Sequence, residues 1–284
     1  MDRARRALGR IGKREERGAA DAPDGRSMPP SPQSGASQAK EGGHGDHWGC
    51  VVRATEQSEL MQFISGVIRD ASRPEVFEAT GAGMAVHAPG DDVSATVLVV
   101  NDKLASAYPD ALLGHKWPIT VDKVVPWANG IEGQIMGTCH GASISFFDTR
   151  FYVNRRKYKI GETYDFQLSA FAYVVGKAAE VEFDSDIGAK VSLKGAHAYM
   201  PADINNPTAD IDDYWFHSPL ESEVGGAELA GRHLKVYPII IALPDHFEMR
   251  INLYAARHTL DPNMEKVAPG DDLEGFLWLQ GCIS

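Results

Sequence analysis

The chain has 284 residues, of which 28 are Lys or Arg and 39 are Asp or Glu, a formal net charge of −11. That length, with 43% hydrophobic residues, allows a substantial core, while the acidic balance repels phosphate backbones unless a local basic groove overrides it. Cys50, Cys139 and Cys282 are too few and too widely spaced for a disulfide framework, and no run of about 18 apolar residues marks a membrane span.

Residues 1–47 hold 9 of the basic and 7 of the acidic residues, which leaves the remainder 19 against 32 and a net charge of −13. Pro, Gly, Ser and Gln dominate PPSPQSGASQAKEGGHGDH, and no apolar periodicity runs through it. Such a segment buries too little to offset its ordering entropy, so a disordered tail is predicted over 1–47, with 48–284 as a single β-rich domain. The leader has arginines but no apolar stretch after them, which predicts no secretory signal and a cytoplasmic protein; Met28 is an alternative start. His44, His47 and Cys50 have an HxxHxxC spacing, but structural zinc takes four ligands and no second pair lies nearby, so no metal site is predicted.

Residues 55–71 form the one clear amphipathic helix. Leu60, Phe63, Ile64, Val67 and Ile68 recur at helical spacing, Thr55 stands at the N-cap position and Pro74 ends the run. An extended piece near Met84 to His87, a PGDD turn and a buried strand from Ala95 to Asn101 follow. From Pro118 to Ala178 the pattern is period-2, as a half-buried strand requires. IEGQIMGT and ASISFFDT flank Cys139-His140-Gly141, a hairpin turn with Gly141 free to take positive φ. KIGETYDFQLSAFAYVV then launches a long strand, and Val181 to Phe183 with Lys190 to Met200 read as a further pair around Ser185-Asp186-Ile187-Gly188. Asn205 to Gly231 is predicted as a long acidic loop. KVYPIIIAL, a Pro244-Asp245 turn, FEMRINLYA and a closing strand in GDDLEGFLWLQGCI complete the chain.

The EGQI strand, the SISFFDT strand and the KIGETYDFQLS entry into a third long strand together resemble the oligonucleotide/oligosaccharide-binding barrel, the OB-fold, over about Ile119 to Val175. The resemblance implies a mainly β fold. We expect an antiparallel OB-like barrel with its core at about 118–200 and 233–284, elaborated by extra hairpins and one N-terminal helix. In such barrels strands two and three carry the ligand face.

Two constellations are candidate binding sites. Tyr214, Trp215 and Phe216 in the acidic loop suit a protein partner, for which aromatic residues are frequent anchors. On a basic hairpin over 146–160, Phe147, Tyr152 and Tyr158 alternate with Arg150, Arg155, Arg156, Lys157 and Lys159. Stacking faces among cations are what single-stranded nucleic acid requires. Paired acids such as Asp91-Asp92 and Asp271-Asp272 follow Gly and read as turn chemistry. No Walker loop, dinucleotide fingerprint, GxSxG elbow or HExxH helix is present, and no cofactor is predicted. The leading expectation is a non-catalytic binding or assembly module with a protein partner. Single-stranded nucleic-acid binding through the basic hairpin is the alternative. An enzyme of unknown class would have to draw on Cys139, His140, Asp148 and Glu132.

Overall fold

The computed structural model describes residues 47–53, 57–70, 74–88, 90–179, 182–184, 190–204, 209–222, 224–242 and 247–284. The expected tail up to residue 46, the Thr55 cap and the turns at 185–188 and 244–245 lie outside the described residues. A 3-10 turn, His47–Cys50, precedes helix α1, Gln57–Asp70, which turns Ile64 and Val67 into the core. Four strands then form an antiparallel sheet in chain order: β1 Glu75–Glu78, β2 Ala82–His87, β3 Val93–Val100 and β4 Lys103–Ala111. β1 and β4 were not anticipated. One is four residues long, and the other, KLASAYPDA, lacks alternation and contains Pro109.

β5 His115–Pro126, β6 Gly133–Cys139 and β7 Ala142–Asp148 follow, then a one-turn helix α2, Phe151–Asn154, and β8 Thr163–Lys177. The β6–β7 turn takes positive φ at both His140 (46°) and Gly141 (82°), which fits the right-handed twist of a two-residue hairpin. β9 Glu182–Asp184 and β10 Lys190–Ser192 pair with each other and, among the described residues, with no other strand. The remaining strands are β11 Ala198–Pro201, β12 Asp213–Pro219, β13 Gly225–Leu229, β14 Arg232–Ala242, β15 Glu248–Ala256 and β16 Asp272–Ile283.

Five of these strands close a barrel. β5 pairs β6 and β8, β6 pairs β7, and β16 joins β7 to β8. The expected all-antiparallel barrel is corrected here, because β16 runs parallel to β7 through Gln280–Phe147 and Gly281–Asp148, so the barrel is mixed. β8 and β16 are long enough to serve two sheets. β8 passes from β5 to a parallel pairing with β15, and the first half of β16 pairs β12. Their close approach demands Gly275, where an added Cβ would lie 2.0 Å from the Val174 carbonyl oxygen.

Because both faces of the shared strands are covered, their alternation feeds two cores. Ile144, Phe146, Ala170, Leu277 and Leu279 point into the barrel. Phe147, Phe171 and Trp278, on the opposite faces, pack under the four-stranded sheet with Val97, Leu98 and Tyr108. The 3-10 turn seals this second core. Trp48 Nε1 donates to the Ala107 carbonyl at 2.9 Å, and the His47 ring stacks on Trp278 with centroids 4.0 Å apart. His47, placed by the sequence at the end of the tail, is therefore a buried residue.

The expected acidic loop at 205–231 is corrected as well: it contains β12 and β13. Tyr214 and Phe216 alternate inward between acidic neighbours, and this short pattern was masked by the charge around it. Tyr214 also replaces a missing strand. Its hydroxyl accepts from Ser145 N–H at 2.7 Å and donates to Ser145 C=O at 3.1 Å, satisfying backbone groups of β7 where the short β7–β16 pairing has ended.

Candidate functional site

The basic segment after β7 is not a hairpin. The chain leaves β7 at Asp148, turns at Thr149-Arg150, winds through α2 and turns again before β8. Phe147 and Tyr152 are buried core residues, and Tyr158 is half-buried with its hydroxyl donating to Asp148 Oδ2 at 2.5 Å. The three aromatics expected to stack bases thus pack inward. Arg155 donates to the backbone oxygens of Tyr152 and Glu78, Arg156 pairs with Glu78 at 2.5 Å, and Lys157 reaches Asn154 Oδ1 at 2.9 Å. Arg156, Lys157 and Lys159 stay exposed.

What the structure does assemble is a polar seam between this corner and all four strands of the small sheet. Arg150 Nη1 donates to Tyr152 Oη at 2.7 Å and lies 3.1 Å from His87 Nε2 and 3.4 Å from Glu75 Oε2. Tyr152 Oη in turn donates to the same Glu75 oxygen at 3.0 Å. Behind His87, Thr96 Oγ1 donates to Asp110 Oδ2 at 2.8 Å, so the 3.0 Å contact of His87 Nδ1 with Thr96 Oγ1 is one in which the imidazole donates. That leaves Nε2 as the acceptor for Arg150, and the tautomer follows from the chain of donors.

Burial, and then the neighbouring Arg150 charge, hold His87 below its usual value, so the ring is neutral at pH 7. Burial first, and Glu75 among the charges, push the Tyr152 phenol upward. Asp148, just behind, is pushed up to about 7 by burial, against the opposing hydrogen bonds from Tyr158 and the Arg150 backbone. The seam thus sets one permanent cation, Arg150, among the carboxylates of Glu75 and Asp110, with Asp148 wholly buried behind it.

The other sequence candidates fall elsewhere. Tyr214 and Phe216 are in the barrel core and Trp215 is half-exposed on the opposite face of β12, so the trio does not form a surface anchor. Cys139 and Asp148 stand at opposite ends of the β6–β7 hairpin, a separation of about 20 Å at the rise of a strand. Cys139 is buried and pushed up to about 11, the His140 ring stacks on Phe247 at 3.6 Å, and Glu132 is enclosed by Ser106 and Asn129. Glu75, His87, Thr96 and Asp110 were not singled out from the sequence. They lie on four separate strands and carry no shared spacing; His87 just ahead of the PGDD turn was the nearest signal.

Among the described residues no group of three or more His, Cys, Asp or Glu is arranged to hold a metal ion, and no helix is long and apolar enough to cross a membrane. No family model, curated protein or solved structure matches the chain.

Proposed function

We propose that this chain is a non-catalytic binding module that engages a protein partner through the β1 rim of its small sheet. The five-strand closure and the short helix between β7 and β8 support an OB-like reading of the barrel, in which β6 and β7 correspond to the usual ligand face. That face is occupied from within. Phe147 lies under the small sheet, Ser145 is bonded by Tyr214, and Gln134 Nε2 donates to Asp212 at 2.8 Å. A ligand surface has to lie elsewhere.

The observation that carries the proposal is β1. The Ala82 carbonyl faces β3, where it accepts from Asn101 N–H at 3.0 Å, so the Glu78–Ala82 pair exchanges no hydrogen bonds and Glu78 presents its backbone to the free edge. Val76, two residues earlier, does the same, and its side chain is 80% exposed beside the Glu78–Arg156 pair. The edge is only four residues long and the Glu78 carbonyl already accepts from Arg155, which blunts it against strand addition. Contact is therefore made by side chains, with Val76 as the apolar centre and the Glu78, Arg155 and Arg156 charges as its rim.

The test compares full-length chain, Val76→Lys and Trp215→Ala as immobilised baits. A partner identified on the wild type and re-bound after purification should be retained by Trp215→Ala and lost with Val76→Lys. Retention by Val76→Lys refutes the surface. Salt-sensitive binding of a labelled oligonucleotide, lost on Arg156→Ala with Lys157→Ala, would replace this reading with the nucleic-acid alternative.

A further inference from the structure

We propose that Arg150 and Tyr152, with His87 orienting the guanidinium, form a receptor for a monoanionic carboxylate, which Glu75 of the same chain occupies at rest and a carboxylate of the bound partner replaces. The inference rests on the β1 contact proposed above and adds the chemistry the partner presents. Two donors of the α2 corner converge on one oxygen, Glu75 Oε2: Tyr152 Oη at 3.0 Å and Arg150 Nη1 at 3.4 Å, while His87 Nε2, 3.1 Å from Arg150 Nη1, accepts from that guanidinium and orients it. The receptor is held from behind, with Arg150 following the strand end at Asp148, Tyr152 buried, and His87 fixed through Thr96 to Asp110.

Glu75 fits it loosely. Charge-assisted N–H···O bonds close to about 2.7–2.9 Å when geometry allows, whereas the Arg150 contact stays at 3.4 Å because Glu75 is tethered to an edge strand. Its side chain is also 44% exposed, against 28% for Arg150 and 17% for His87, so the occupant is the most accessible member of the group. It belongs to β1, the edge strand offered to the partner, with its side chain on the opposite face from Val76.

Charge selects the ligand. Arg150 already faces Asp110 and Glu75, so exchanging one carboxylate for another leaves the local balance unchanged. A doubly charged phosphate or sulfate would add a negative charge beside Asp110 and is disfavoured.

Glu75→Ala in the full chain empties the receptor. Acetate, tested against sulfate at equal ionic strength, should raise the Tm of Glu75→Ala saturably by about 2–4 °C once it exceeds its Kd about tenfold. It should leave the wild type, with Glu75 in place, and Glu75→Ala/Tyr152→Phe much less affected. N-acetylglutamate α-amide should match acetate if a protein side chain is the natural source. Binding of acetate alone would assign the site to a small carboxylate instead and overturn the partner half of the proposal. Saturation-transfer NMR on the acetate methyl gives a readout independent of stability. Equal effects of sulfate and acetate, or no acetate signal with folded Glu75→Ala, overturn the receptor altogether. The Val76 bait experiment is untouched by either outcome, so the two proposals fail separately.

Discussion

Replacing Asp148 by asparagine separates two opposing influences on a single buried carboxyl. Burial favours its neutral form, whereas the Tyr158 hydroxyl at 2.5 Å and the Arg150 backbone N–H at 3.0 Å favour the ionised form. Burial prevails and sets the group at about 7 against an ordinary 3.8. A carboxyl raised in this way holds its proton in the folded chain after the unfolded chain has lost it. Its contribution to stability is therefore complete below about 3.8 and is lost as pH rises through about 7. At 1.36 kcal/mol per pKa unit the ceiling is about 4 kcal/mol. Asparagine is never charged, so this loss is absent from Asp148→Asn. Urea unfolding of both proteins from pH 4.5 to 8 cancels the other titrating groups in the difference. The variant should start less stable, having lost acid-specific hydrogen bonding, and should gain on the wild type by about 3 kcal/mol across that range, the first part of the loss having already occurred below pH 4.5. A difference that is flat with pH, or that moves against the variant as pH rises, would mean that Tyr158 and Arg150 N–H win and that the carboxylate is ionised throughout.

Further substitutions probe other parts of the argument. Tyr214→Phe leaves the buried N–H and C=O of Ser145 without a partner, which should cost about 2 kcal/mol in urea unfolding; a loss below 0.5 kcal/mol would contradict the strand-substitute role. Thr96→Val keeps the shape but cuts the link from His87 to Asp110, and should lower stability by about 1.5–3 kcal/mol, the range for hydrogen bonds to charged groups. Cys139, pushed up to about 11 by burial, should resist iodoacetamide at pH 8 in the folded chain and react once urea unfolds it; rapid labelling of the native protein would restore a nucleophile reading. Gly275→Ala drives a Cβ to within 2.0 Å of the Val174 carbonyl oxygen and should abolish soluble expression or lower Tm by more than 10 °C, an effect about twofold beyond an ordinary core change for a chain of this size.

Local pattern was sufficient wherever one strand's own alternation identified it. The β6–β7 hairpin with its turn at His140-Gly141, the alternating Met249, Ile251 and Leu253 of β15, the helical stripe of α1 and the closing strand β16 are all written in consecutive residues, because side-chain direction is set by backbone period. Tertiary structure decided what each strand meets. Nothing in SISFF distinguishes Phe146, inside the barrel, from Phe147, beneath a second sheet; the difference arises because β1–β4 cover the outer face. Nothing in GFLWLQG announces that β16 runs parallel to β7, since partner and direction are set by hydrogen bonds between residues more than a hundred positions apart. The same reason hid the seam. Glu75, His87, Asp110 and Arg150 acquire their roles from one another, across a barrel corner and four strands, and a charged side chain has no period of its own by which to be read before those strands are brought together.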